Sequence, residues 1–161
     1  MNGSTENRAP EAFDKRGSHD RLLSWAAASR MLPLVQRIVA DMIDCQQRLT
    51  RMLPEKERLD RHRRDLSWPE RARRYQLDED IAAGEQALRA NFSELDGLGV
   101  SLLDIATGQV GFPTKVNNRL AYFCWLPGEK TLSFWRYADE DERRPIPAGW
   151  TKGDSRQKVK D

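Results

Sequence analysis

The sequence predicts an α+β protein: a long, coiled-coil-like antiparallel helical hairpin with a short N-terminal helix and a small antiparallel β-sheet of three or four strands. Three observations lead to this fold class. A long apolar stripe advances in alternating steps of three and four residues, a weaker stripe follows it, and the hydrophobic period then changes to two. A chain of 161 residues with 39% hydrophobic content suits one domain with one modest core.

The first stripe predicts a helical arm over residues 33–65, because its spacing is the seam of a helix that packs along another helix. Pro33 suits the first turn of a helix, so we expect a break or a kink at Leu32-Pro33, after a short helix over 25–31 capped by Ser24. Pro54 is expected to kink the arm without ending it. The stripe consists of Val35, Ile38, Met42, Cys45, Leu49, Met52, Lys56, Leu59, Arg63 and Leu66.

The second stripe predicts an arm over residues 69–96. The segment between the arms, 65–70, reads as a helix stop followed by a new start at Pro69, so the arms form a hairpin over about 33–96. Gly84 within this arm is typical of a close approach between helices. The stripe consists of Leu77, Ile81, Gly84, Leu88, Phe92 or Asn91, and Leu95.

A sheet is predicted over about 99–147, where the period of two begins. The expected strands are 100–105, 110–113, 119–125 and 131–137, and Pro113 is expected to end the second. A sheet this small needs cover, which the base of the hairpin and the short helix would supply. Its aromatic residues are Tyr122, Phe123, Trp125, Phe134, Trp135 and Tyr137.

The remaining segments set the limits of the domain and indicate the cellular location of the protein. Residues 19–150 are expected to form a single domain, with a disordered leader over 1–18 and a disordered tail over 151–161. No apolar run approaches the roughly 20 residues of a membrane span, and the first residues lack the apolar stretch of a secretory signal. Cys45 and Cys124 then read as reduced core residues, which predicts a cytoplasmic protein without membrane contact.

Several short motifs follow one another along the chain in a distinctive order. They are Ala28-Ser29-Arg30-Met31-Leu32-Pro33-Leu34-Val35, Phe112-Pro113, Asn118-Arg119, Phe123-Cys124-Trp125, Gly128-Glu129, Trp135 and Arg143-Arg144-Pro145-Ile146. Together they resemble the signature of a bacterial and archaeal family called domain of unknown function 2203. The resemblance covers roughly residues 22–147 and implies a helical hairpin beside a small sheet, without an established activity.

The chain departs from that family pattern at two places. The pattern has an acidic residue before the Phe-Pro pair, where this chain has Gly111. It has a His and then an acid after the second Trp, where this chain has Arg136 and Tyr137. An arginine is neither a general base nor an ordinary metal ligand, so the resemblance carries no such site over to this chain.

Catalysis finds little support among the residues. His19 and His62 are the only histidines, and no pair of ligands has metal spacing. Cys124 lies in a segment without a base, which favours core packing over nucleophilic catalysis. We therefore predict no catalytic residues, no metal and no cofactor, and a protein that is more readily a binder than an enzyme.

Two groups of side chains remain as candidate binding sites. An Arg-rich hairpin tip with Trp68 suits the binding of nucleic acid. The net charge of +2 gives no further support to nucleic-acid binding. The alternative is that these arginines form ion pairs within the hairpin. The sheet group forms either a cationic pocket for an anionic ligand or a small core with stacked arginines. The tip group is Arg61, Arg63, Arg64, Trp68, Arg71, Arg73 and Arg74, and the sheet group is Arg119, Trp125, Glu129, Trp135, Arg136 and Arg143.

The favoured hypothesis is a non-enzymatic interaction or scaffold protein that acts through its hairpin, pairing with itself as a homodimer or with another protein. Apolar side chains that lie off the seam suggest a surface in need of cover. One alternative is a nucleic-acid-associated factor that uses the tip, and another is a small enzyme or anion binder that uses the sheet group. The off-seam residues are Leu34, Val39, Ile43 and Leu53.

Overall fold

A computed structural model describes residues 22–152, and it confirms the α+β architecture of a helical hairpin beside an antiparallel sheet. The expected leader 1–18 and most of the expected tail, 153–161, lie outside the described residues. The sheet has five strands rather than three or four, because a strand of two residues joins its edge. The elements are α1 (Trp25–Arg61), α2 (Trp68–Gly97), β1 (Ser101–Asp104), β2 (Gln109–Val116), β3 (Arg119–Trp125), β4 (Phe134–Tyr137), β5 (Arg144–Pro145) and α3 (Ala148–Thr151).

The first arm of the hairpin, α1, begins after Ser24, whose hydroxyl accepts a hydrogen bond from the amide of Ala27 at 3.1 Å. The helix then runs through Pro33, so the predicted break there is wrong and the expected short helix is the start of α1. Ala28 and Val35, on either side of this proline, are both buried in the core. Their packing outweighs the cost of an internal proline, which is about 3 kcal/mol.

The second arm, α2, begins with a capping box. The hydroxyl of Ser67 accepts from the amide of Glu70, and the Glu70 carboxylate accepts from the amide of Ser67 at 3.0 Å. Midway along the arm, a β-carbon added to Gly84 would lie 3.1 Å from a methyl carbon of Leu49 on α1. The prediction of a close helix approach at Gly84 is therefore confirmed.

The hairpin is held together by two separate apolar clusters. The larger one continues into the sheet and includes Val35, Ile38 and Met42 of α1. The smaller one lies toward the tip and has no strand in it. Its buried members are Leu49, Leu59, Leu66, Leu77 and Ile81.

The sheet is a meander in which each strand pairs with the next. Asn117 and Asn118 join β2 to β3 with φ of 52° and 62°, the positive values that a two-residue type I′ turn requires. Pro113 was expected to end β2, yet the strand continues to Val116. The Pro113 carbonyl accepts from the amide of Leu23 at 2.7 Å. Nitrogen and carbonyl of one residue point to the same side of an antiparallel strand, so the missing N–H costs no bond with β3.

The sheet has one face toward the helices and one outer face. On the first, Phe112, Phe123 and Trp135 are direct cross-strand neighbours and belong to the large core. Gly111 and Cys124 lie one residue away along their strands and therefore point to the outer face. No helix within residues 22–152 is long and apolar enough to cross a membrane.

Candidate functional site

The six candidate residues of the sheet lie on both of its faces. Phe123 pairs with Trp135, so Trp125, two residues farther along β3, shares the helix-facing side with Trp135. Arg136 points to the outer face. Arg119 lies on the helix-facing side at the start of β3, where its guanidinium stacks on the Tyr137 ring at 3.8 Å. The structure therefore does not bring all six into a single pocket.

Both helix-facing tryptophans are parts of the core. The Trp125 indole N–H donates to the carbonyl of Glu129 at 2.8 Å, which satisfies its one polar group. Trp135 is 7% exposed and packs edge-on against Tyr137, with ring centroids 4.9 Å apart. Trp150 of α3 covers it from the other side at 5.4 Å. The Trp135 ring is therefore enclosed, and the Trp125 ring is 4% exposed and reaches the surface only at its edge.

Glu129 and Arg143 form an ion pair on the outer face. The Arg143 guanidinium donates to the Glu129 carboxylate at 2.6 Å and stacks on the Phe134 ring at 4.4 Å. The same carboxylate oxygen accepts from the amide of Leu126 at 3.1 Å. This pair joins the turn after β3 to the connection between β4 and β5, which is the arrangement of a structural staple.

Arg136 is a second cation close to that staple, and it is poorly satisfied. Its side chain is 13% exposed, and its ion pair with Asp141, at 3.4 Å, is to a carboxylate that is fully exposed. Within residues 22–152, three buried polar atoms of this group lack a hydrogen-bond partner. They are the Nε atoms of Arg136 and Arg143 and the Oε2 atom of Glu129.

Cys124 lies beneath these side chains with no exposed surface. Burial raises the pKa of the Cys124 thiol to about 11, although the nearby guanidiniums of Arg136 and Arg143 act in the opposite direction. The thiol is therefore protonated at neutral pH. A protonated, fully buried sulfur is a poor nucleophile and a poor metal ligand.

The arginines of the hairpin tip are largely engaged within the hairpin. Arg73 holds Glu55 through two hydrogen bonds of 2.9 and 3.0 Å, and Arg74 donates to Asp60 at 2.6 Å. Asp60 has a pKa below its ordinary value because Arg74, and then Lys56, hydrogen-bond to its ionised form.

Two further tip arginines also have partners within the hairpin. Arg61 pairs with Glu57 at 2.7 Å, and Arg71 donates from Nε to the carbonyl of Leu66 at 3.1 Å. Of the seven predicted tip residues, Arg63, Arg64 and Trp68 have exposed side chains without an ion pair or hydrogen bond to another side chain or carbonyl of residues 22–152. The tip therefore offers a phosphate group only the two guanidiniums of Arg63 and Arg64, beside the ring of Trp68.

The sequence interpretation missed a surface on α2. Trp68 and Tyr75 lie two helical turns apart on the side of α2 opposite Leu77 and Ile81, which face α1. Exposed residues on this side of α2 are spaced by four, three, four and three positions, which indicates one face of a helix. The sequence interpretation applied this spacing only to the side of α2 that packs on α1. The back face of α2 consists of Trp68, Ala72, Tyr75, Glu79 and Ala82, all exposed.

A groove between α1 and the turn after β3 was also missed. It has a volume of about 740 Å³ and is lined by Val39, Ala40 and Ile43 of α1 and by Pro127 and Lys130 of the turn, among others. Sequence alone does not show this groove, because its two walls are far apart along the chain.

Comparison with known proteins agrees with the fold. Within residues 22–152, no group of three or more His, Cys, Asp or Glu side chains is placed to hold a metal ion. No curated protein and no solved structure shows significant similarity to the chain. A family of uncharacterised conserved proteins, DUF2203, matches residues 21–146. The matched region covers both arms of the hairpin and all five strands, and the chain therefore belongs to the DUF2203 family.

Proposed function

We propose that this protein is a non-enzymatic interaction or scaffold protein that self-associates through the back face of α2. The observation that carries this proposal is the exposure of two aromatic side chains on one side of a helix. Trp68 is 77% exposed and Tyr75 is 68% exposed, and neither has a ring contact with another side chain of residues 22–152. Aromatic side chains are enriched at protein interfaces, where they bury a large apolar area.

A second copy of the same face would complement the first. If two α2 helices pack antiparallel about Tyr75, Trp68 of one copy meets the small Ala82 of the other, since each lies seven residues from Tyr75. A large aromatic side chain against a small one is the shape complementarity that a two-fold symmetric interface needs.

The surface that first suggested self-association is smaller than expected. Val39 is buried, and Ile43 is half-buried where it packs against the large core, so little of either side chain is left for an interface. Leu34 and Leu53 of α1 remain exposed. The support for an interface therefore moves from α1 to the back face of α2.

The two alternative functions have less support. Nucleic-acid binding by the tip needs free guanidiniums, and Arg73 and Arg74 are held by carboxylates of α1. Chemistry at the outer face of the sheet lacks an ionised nucleophile, since the Cys124 thiol is protonated. Two free thiols, Cys45 and Cys124, are consistent with a reducing compartment, and we propose a cytoplasmic location.

Sedimentation velocity over a range of protein concentrations tests the interface. We expect wild type to shift from monomer to dimer mass as the concentration rises through the micromolar range. Trp68→Ser and Tyr75→Ser should remain monomeric, because each removes one aromatic side chain from the contact. Ile105→Ser, which changes an exposed apolar residue in the turn after β1, is the control and should dimerise like wild type. A wild-type monomer at every concentration would exclude the proposal.

A larger side chain at Ala82 tests the register of the two copies. Ala82→Trp should weaken the dimer, because it places a second large ring where Trp68 of the other copy lies. An Ala82→Trp variant that dimerises like wild type would mean that these two residues do not face each other.

A further inference from the structure

The groove between α1 and the turn after β3 has the dimensions of a small-molecule site. Its volume of about 740 Å³ lies within the range of roughly 300–1,000 Å³ typical of ligand pockets. One wall is a stripe of α1 in which small and apolar side chains, Ala40 and Ile43, face the opening. The other wall is the turn with Pro127 and Lys130, and Trp125 lies between the two.

The walls of this groove are held in place by a close contact outside it. The turn between β1 and β2 brings Gly108, with φ of +76°, against both of them. A β-carbon there would lie 2.9 Å from Ile43, 3.0 Å from Pro127 and 3.1 Å from Val39. Side chains packed this tightly have little freedom, so the groove exists before any ligand arrives.

Of the charged side chains that line the groove, two already have an ion-pair partner and one does not. The Asp44 carboxylate is paired with Arg48 at 2.6 Å, and the Glu129 carboxylate is paired with Arg143 at 2.6 Å. Lys130 has no ion pair or hydrogen bond among residues 22–152. The charge left to a ligand is therefore a single ammonium group at the end of an apolar, aromatic-lined groove.

We propose that this groove binds a small organic anion with an apolar body, of the class of aromatic carboxylates and sulfonates. The body lies along Ile43, Pro127 and the edge of Trp125, where apolar area is removed from water. The acidic group lies at Lys130, whose ammonium is otherwise uncompensated. This site is separate from the back face of α2, so it stands whether or not the protein dimerises.

Two fluorescent probes test the proposal: anilinonaphthalene sulfonate, which is anionic, and phenylnaphthylamine, its neutral counterpart. We expect saturable binding of one anionic probe per chain, with the neutral probe weaker. Lys130→Gln should lower the affinity for the anionic probe by about fivefold and leave the neutral probe unchanged. Lys115→Gln, an exposed lysine on β2 that does not line the groove, is the matched control.

A second variant tests the location. Ala40→Phe fills the groove from an exposed helix position and should abolish binding of both probes. Ala87→Phe makes the same change at an exposed position of α2 outside the groove and should bind like wild type. Circular dichroism establishes that all four variants are folded. The proposal is overturned if wild type shows no saturable binding, if Ala40→Phe binds normally, or if Lys130→Gln leaves the anionic probe unaffected.

Discussion

The ring of Tyr122 lies directly against the backbone of Gly111 on the outer face of the sheet. A β-carbon added to Gly111 would be 2.8 Å from the ring atoms Cγ and Cδ1 of Tyr122, and 2.9 Å from a methyl carbon of Leu103. An aromatic ring across a glycine on a neighbouring strand shields backbone that has no side chain of its own. An acidic side chain, which the family pattern leads one to expect before the Phe-Pro pair, has no room here unless Tyr122 moves.

Gly111→Ala should therefore lower the free energy of unfolding by about 1–3 kcal/mol, because the added methyl group displaces the Tyr122 ring. Urea denaturation measures the change. In a Tyr122→Ala background the cost of Gly111→Ala should be smaller, since the obstructing ring is absent. Gly97→Ala, where the added carbon meets nothing within 4 Å, is the control. Equal costs of Gly111→Ala in both backgrounds would contradict the contact.

Trp135→Ala should cost about 3–5 kcal/mol of unfolding free energy, because it leaves a cavity between Tyr137 and Trp150. A domain of ordinary stability, about 5–15 kcal/mol, would then be close to unfolding. Ile105→Ala, at an exposed apolar position, should change stability by less than about 0.5 kcal/mol. Thermal and urea unfolding report both variants, and a Trp135→Ala protein as stable as the control would refute its place in the core.

The two arginines of the outer face should respond in opposite ways to replacement by methionine. Arg143→Met should destabilise by about 1–3 kcal/mol, because it leaves the Glu129 carboxylate half-buried without its cation. Arg136→Met should be neutral or stabilising by about 1 kcal/mol, because it removes a mostly buried cation whose Nε has no partner. Urea midpoints compare the two, and the reverse order would show that Arg136 is the structural residue.

Acid should loosen the hairpin tip. The pKa of Glu55 is lowered by a hydrogen bond from Arg73, and that of Asp60 by hydrogen bonds from Arg74 and then Lys56. A carboxylate with a lowered folded-state pKa stabilises the fold above its ordinary value of about 4, and this contribution is lost as the pH falls through the lowered value. Urea midpoints from pH 7 to about pH 2 should therefore fall less for a Glu55→Gln, Asp60→Asn variant than for wild type. Asp44→Asn, in an exposed pair with Arg48, should follow the wild-type curve.

The two thiols should react at very different rates. Cys45 is half-buried on α1, whereas Cys124 is fully buried and has its pKa raised to about 11. A thiol reagent near pH 8 should therefore modify Cys45 in the folded protein and Cys124 only after denaturant is added. Cys45→Ser should show no reaction in the folded state. Two equally fast thiols in native wild type would mean that the outer face opens readily.

The parts of the fold that follow a period could be predicted from the sequence. The seam through Val35, Leu49 and Leu59 predicted two packed helices, and all three side chains are buried. Alternation in β4 places Trp135 and Arg136 on opposite faces, as observed. The hydrophobic pattern could not predict which candidate site residues contact one another. Those contacts depend on the register between β3 and β4 and on where the turns place the residues that follow each strand.

Two prolines were interpreted from local chemistry alone, and neither of them interrupts the helix or strand in which it lies. Pro33 lies inside α1 because buried neighbours on each side compensate for its lost hydrogen bond. Pro113 lies inside β2 because its nitrogen points to a side that β3 does not use. Local propensity is a weak guide wherever tertiary contacts outweigh it. The Asn117-Asn118 pair, by contrast, was a local signal for a tight hairpin that could have extended the predicted β2.

The order of elements has a consequence for how the chain folds. α1 packs on α2, and each strand pairs with the next, so most contacts join neighbours along the sequence. Contacts between the hairpin and the sheet are the exception, and the Trp25 indole at the start of α1 donates to the carbonyl of Leu132, 107 residues away. Nearby partners find each other quickly, whereas closing a long loop is entropically costly. The hairpin and the meander are therefore expected to form early and separately, and the first turn of α1 to dock last, joining the two halves of the protein.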